Sequence, residues 1–156
     1  EAVYAGSKEA REGMARASLL AGQAFANAGV GSVHALAYPI GSRYHIPHGE
    51  ANALMLVPVL KFLWPAAMNR MQEIGFALER KAVAGLSARE GAKKTIDCII
   101  ELLADINIKA RLRDYNVEMD DILDLAVEGD KQKRLLRLSP RLLSIDEITD
   151  IYKQTW

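Results

Sequence analysis

Two serine–glutamate pairs constrain this chain more than any other feature. Ser87-Ala88-Arg89-Glu90 and Ser144-Ile145-Asp146-Glu147 both have the form of a helix capping box. In that motif the serine hydroxyl and the glutamate carboxylate satisfy each other's orphan backbone donors. Behind the first box, Ala92, Ile96, Ile99, Ile100 and Leu103 recur at the 3.6-residue period of one helix face. The second box opens a helix ending near Trp156. Glu118 to Glu128 reads as a shorter helix with Met119, Ile122, Leu123 and Ala126 inward. Ser7 is a suitable N-cap for a first helix running to about Asn27, with Gly29 as its stop. Its predicted inner face is Met14, Ala17, Leu20, Ala21, Ala24 and Phe25. Its small residues (Ala15, Ser18, Gly22, Ala26) suit close helix approach, so it is expected to be buried among neighbours. No alternating strand and no internal repeat is present. The reading is an all-α helical bundle of about six to eight helices.

Composition narrows the function classes. The 156 residues carry 20 basic and 20 acidic side chains. That balance argues against a nucleic-acid binder and against a polybasic membrane-surface module. The 50% hydrophobic fraction is enough for a core, and the 6% aromatic content favours helix over sheet. A single cysteine, Cys98, excludes a disulfide scaffold and fits a reducing, cytoplasmic setting, where it reads as a small core residue. The longest apolar run, Ala53 to Leu60, is too short to span a bilayer.

Residues 29–49 differ in kind, holding all three histidines and two prolines. A short helix is expected from about Val33 to Pro39. A loop through Gly41-Ser42-Arg43 should lead to a helix starting near Pro47 and kinked at Pro58, followed by another between Pro65 and about Arg80. Histidine is the commonest metal ligand, and His34 and His48 sit on or at the start of two helices. Two imidazoles are too few for a catalytic metal, which takes three or four protein groups. His45 is a third candidate, although it lies across the Pro47 turn. For each histidine the alternative is a structural role in the core.

The run from Gly31 to Ala53, reading G-x-x-H-A-x-A-x-P-x-G and then P-H-G-x-x-N-A, resembles the signature of the iron-containing (group III) alcohol dehydrogenases in their C-terminal helical domain. Residues 21–29 resemble the helix preceding that signature. Ser139-Pro140-Arg141 resembles the turn before the family's last helix, where Asn-Pro-Arg is more usual. The resemblance covers nearly the whole chain. It implies an oxidoreductase interconverting alcohols with aldehydes or ketones through NAD or NADP and a divalent metal, Fe(II) or Zn(II). It matches His34 and His48 to two of four metal ligands. The other two, an Asp and a His one turn apart, have no counterpart here. Nor is there a Gly-rich dinucleotide loop. The expectation is therefore a metal-binding helical domain spanning 1–156 and truncated on its N-terminal side, without the nucleotide-binding domain and inactive alone. Apolar surface left exposed by the missing helices predicts self-association, hence a homo-oligomer.

Where many members have a second histidine four residues after the first, this chain has Tyr38. At that spacing it shares a helix face with His34 and can donate a hydrogen bond on the substrate and nicotinamide side, though a phenol shuttles protons less well than an imidazole near neutral pH. The alternative for Tyr38 is packing alone. His45 is expected to line the loop or cleft. Glu50 and Asn52 are expected to serve the helix start or to orient a ligand. A rival from another class is a non-catalytic helical binding or assembly module with vestigial histidines. A glycerol-type dehydrogenase or a dehydroquinate synthase fits Pro47 to Asn52 less well.

Overall fold

The computed structural model describes residues 5–156, which hold eight α-helices, three short 3₁₀ turns and no strand. They fall into two compact units, divided in sequence after Val30. The first carries α1, Lys8–Ala28. The second, Gly31–Trp156, carries α2 (Ser32–Tyr44), α3 (His48–Leu63), α4 (Met68–Val83), α5 (Ala88–Asp105), α6 (Ile122–Asp130), α7 (Lys133–Leu136) and α8 (Ile145–Thr155).

α1 begins as expected. The Ser7 hydroxyl accepts from the Ala10 amide at 3.1 Å, and Gly29 closes the helix at φ 74°, a left-handed value that glycine adopts without penalty. Its expected burial is corrected. No residue of α1 is buried, and Met14, Leu20 and Phe25 stand 58–61% exposed. An amphipathic stripe is covered only when a second element packs on it, and the described part of this unit contains no other helix.

In the second unit α2 packs against α3 and α6, and α8 covers α3 and α6. Leu36, Ile40, Met55, Val59, Ile148 and Ile151 are fully buried there. Each such side chain stabilises the fold by about 1.5–3 kcal/mol relative to exposure. Tyr152 ties the layers together: its phenol, fully buried, donates to the Leu36 carbonyl at 2.6 Å, and burial pushes its pKa well above the ordinary value, which makes it a weaker acid. α4 and α5 form a tight pair around Met71, Ala92 and Ile96. Thr95 Oγ1 donates to the carbonyls of Met71 and Gly91, both at 2.8 Å, and Gly75 leaves the room for it.

Both capping boxes are present, at Ser87/Glu90 and Ser144/Glu147. Several expected details change. α2 runs through Pro39 and Gly41 to Tyr44, because one missing donor is outweighed by the burial of Leu36, Pro39 and Ile40. α3 runs through Pro58 to Leu63 as expected, but Pro47 is its N-cap rather than its first-turn residue. α4 extends to Val83, with a non-helical Glu79 inside it. Ile100, Met119 and Leu123 are exposed, whereas Leu125, absent from the predicted stripe, is buried. Cys98 is only partly buried.

Candidate metal centre

α2 and α3 bring three of the sequence-selected residues together. His34 lies in the first turn of α2, and its position depends on how that helix is capped. Gly31 offers no side chain, and Ser139, remote in sequence, supplies the cap. Its Oγ accepts from the Ser32 amide at 2.8 Å and shares a 2.6 Å hydrogen bond with the Ser32 hydroxyl. A Cβ on Gly31 would stand 2.8 Å from that oxygen, so this close approach requires glycine. At its other end α2 is anchored to α6: Arg43 pairs with Asp121 at 2.5 Å and the Tyr44 hydroxyl donates to the same carboxylate. Desolvation, reinforced by Asp121, holds the Tyr44 phenol above its ordinary value.

His48 is the first residue of α3. The ring centroids of His34 and His48 lie 5.3 Å apart. Tyr38 completes the cluster, 6.1 Å from His34 in an edge-on arrangement and stacked on His48 at 5.7 Å. The i, i+4 spacing of His34 and Tyr38 produces the shared face. Burial, and then the charge of His48, hold His34 below the usual imidazole value of 6.5, which keeps its lone pair free at neutral pH.

Asn52, one turn along α3, supports His48. Its Nδ2 donates to the His48 carbonyl at 2.8 Å and lies 3.1 and 3.2 Å from the two ring nitrogens, while its Oδ1 is buried without a partner among the described residues. Glu50 takes a different part, accepting from the Tyr115 hydroxyl at 2.5 Å. Burial first, and then Glu50, raise the Tyr115 phenol well above its ordinary value. Tyr115 had no sequence signal, because the bond joins residues 65 apart. His45 stands outside the cluster: it is the exposed, left-handed C-cap of α2 at φ 55°.

The donor chemistry fits part of a divalent metal site. Two imidazoles on one tetrahedral ion, bonded at about 2.0–2.1 Å, place their ring centroids roughly 5 Å apart. The observed 5.3 Å matches that separation. Among the described residues no group of three or more His, Cys, Asp or Glu is placed to hold a metal, so the pair is a partial donor set.

Comparison with known proteins shows the family. The family described as "Fe-containing alcohol dehydrogenase family, C-terminal" matches residues 1–156. The chain is 39% identical over 154 residues to long-chain-alcohol dehydrogenase 1 of Geobacillus thermodenitrificans, covering 98% of this chain and 39% of that protein. It is 39% identical over 157 residues to 1,3-propanediol dehydrogenase of Klebsiella pneumoniae, covering 100% of this chain and 40% of the relative. Among solved structures, a 1,3-propanediol oxidoreductase superposes with a TM-score of 0.91 at 38% identity, over 97% of this chain and 39% of the other. The alcohol dehydrogenase from Oenococcus oeni gives 0.92 at 28% identity, over 99% of this chain and 40% of the other. The chain belongs to the iron-containing alcohol dehydrogenase family. It spans about two fifths of the length of the curated relatives it matches.

Proposed function

We propose that this chain is the metal-binding helical domain of an oxidoreductase that interconverts alcohols with aldehydes or ketones. The observation that carries the reading is the convergence of His34 and His48 from two helices at 5.3 Å, inside the signature that suggested them. His34 and His48 are two ligands of a divalent ion, Fe(II) or Zn(II), whose remaining ligands come from outside the described residues. When bound, such an ion supplies Lewis-acid polarisation of an alcohol or carbonyl oxygen. NAD or NADP, held outside the described residues, would supply the hydride acceptor for the carbinol carbon.

This chain's own residues position those groups. The Ser139 cap and the Asp121 anchor fix α2, and hence His34, at both ends of the helix. Asn52 restrains the start of α3 and the His48 ring. The Tyr38 ring borders the histidines, and its hydroxyl is the group to donate a hydrogen bond to the substrate oxygen. The intact protein works as a homo-oligomer in the cytoplasm, and no described helix is long and apolar enough to cross a membrane.

A chimera tests this reading. Residues 1–156 would replace the matching two fifths of the Klebsiella pneumoniae 1,3-propanediol dehydrogenase. The expected result is metal-dependent alcohol oxidation that is lost in His34→Ala and in His48→Ala, with no turnover by the chain alone. A folded chimera whose activity survives both substitutions would overturn the assignment.

A further inference from the structure

α3 has a second functional-looking face. At 100° per residue, Ala53, Leu54, Val57 and Lys61 lie on the side of the helix opposite His48 and Asn52. That side opens into a cavity of about 260 Å³, closed on its other flanks by the end of α5, the segment after it and the end of α8. Its walls are aliphatic, built from Leu54, Val57, Pro58, Ile100, Leu103 and Ile108. The polar side chains at its edge, Lys61, Lys109 and Gln154, are all exposed. Neither lysine has a carboxylate within ion-pair distance among the described residues. The Lys109 ammonium is steadied instead by the Asp114 carbonyl at 3.2 Å and by the Tyr115 ring at 4.8 Å, which leaves its charge uncompensated.

An apolar cavity with cations at its mouth selects an amphipathic anion. The helix ends oppose this in part, because α5 and α8 both present their C-termini here. Each terminus is worth about half a negative charge, and two full ammonium charges exceed both together. The volume suits a short aliphatic chain rather than a folded segment of protein. The geometry points to a binding site for a medium-chain aliphatic carboxylate, its chain among Val57, Ile100 and Ile108 and its headgroup between Lys61 and Lys109. The site is separate from the histidine cluster and does not depend on the alcohol dehydrogenase reading.

Titration of the isotopically labelled chain with hexanoate, octanoate and decanoate, kept below micelle formation and followed by NMR, tests the proposal. The amides of Val57, Ile100 and Ile108 should shift saturably, with affinity rising up to about fourfold for each added methylene. Octanol should bind about tenfold less tightly than octanoate, for want of the charge-assisted contact. Ala104→Phe, at an exposed position lining the cavity, should abolish binding, and Lys61→Glu should weaken it about tenfold. His34→Ala should leave it unchanged, which excludes carboxylate binding at the metal histidines. Absence of saturable shifts around the cavity would overturn the proposal. So would equal affinity for octanol and octanoate, or undiminished binding by both cavity variants. Concentration-dependent protection of the cavity without added ligand, the mark of a second copy of the chain filling it, would overturn it as well.

Discussion

Replacing Ser139 by alanine removes one oxygen that serves both ends of the sequence. In the folded chain that oxygen caps α2 through the Ser32 amide at 2.8 Å and satisfies the Ser32 hydroxyl at 2.6 Å. Loss of an N-cap costs about 1 kcal/mol. The Ser32 side chain is 2% exposed, and leaving its hydroxyl unpartnered adds about 1–3 kcal/mol, reduced where it can turn to a carbonyl of its own helix. The sum is about 2 kcal/mol. With a urea m-value of about 2 kcal/mol/M, the midpoint should fall by about 1 M. Tryptophan fluorescence is a suitable assay, because Trp64 and Trp156 both belong to the unit that contains the contact. Gly31→Ala should act through the same oxygen, since its Cβ would stand 2.8 Å away. Its cost should therefore shrink in the Ser139→Ala background. An unchanged midpoint for Ser139→Ala, or strictly additive effects of the two substitutions, would refute the reasoning.

Other expected outcomes are open to measurement. Gly75→Ala should lower stability by about 1–3 kcal/mol in urea unfolding although alanine is the better helix former by about 1 kcal/mol, because its Cβ would meet Thr95 Oγ1 at 2.2 Å and Val83 Cγ2 at 2.9 Å. Tyr152→Phe keeps the ring volume and loses the 2.6 Å bond to the Leu36 carbonyl, so thermal unfolding should report a loss of about 1 kcal/mol. The backbone amide of Ser144, and then Arg141, hold the Glu147 carboxyl below the model-peptide value of 4.5. Its contribution is therefore fully present above pH 4.5 and is lost as pH falls through the lower folded value, so Glu147→Gln should flatten the acid side of the stability profile.

What could be read from the sequence was mostly local. The Ser87 and Ser144 boxes span three residues each, and both helices begin where that chemistry places them. His34 and Tyr38 met as helical spacing required. The meeting of His34 with His48 depends on how α2 packs on α3, which spacing alone did not fix; the resemblance supplied that pairing. Boundaries failed where burial overrode a local breaker, as at Pro39 in α2. Inward faces failed in the short α6, where Leu125 is buried and Leu123 is not. The long-range polar contacts had no sequence signature, because Ser139 to Ser32, Tyr115 to Glu50 and Tyr152 to Leu36 join segments that only the tertiary fold makes neighbours.

The central claim is that His34 and His48 hold one ion between them. Titration of the 156-residue chain with Co(II) or Zn(II), followed through the histidine ring resonances, tests it most directly. The predicted result is a single 1:1 site that perturbs the rings of His34 and His48 together, leaves His45 unaffected and disappears in either His34→Ala or His48→Ala. Equal metal binding by the double variant, or binding centred on His45, would contradict the account.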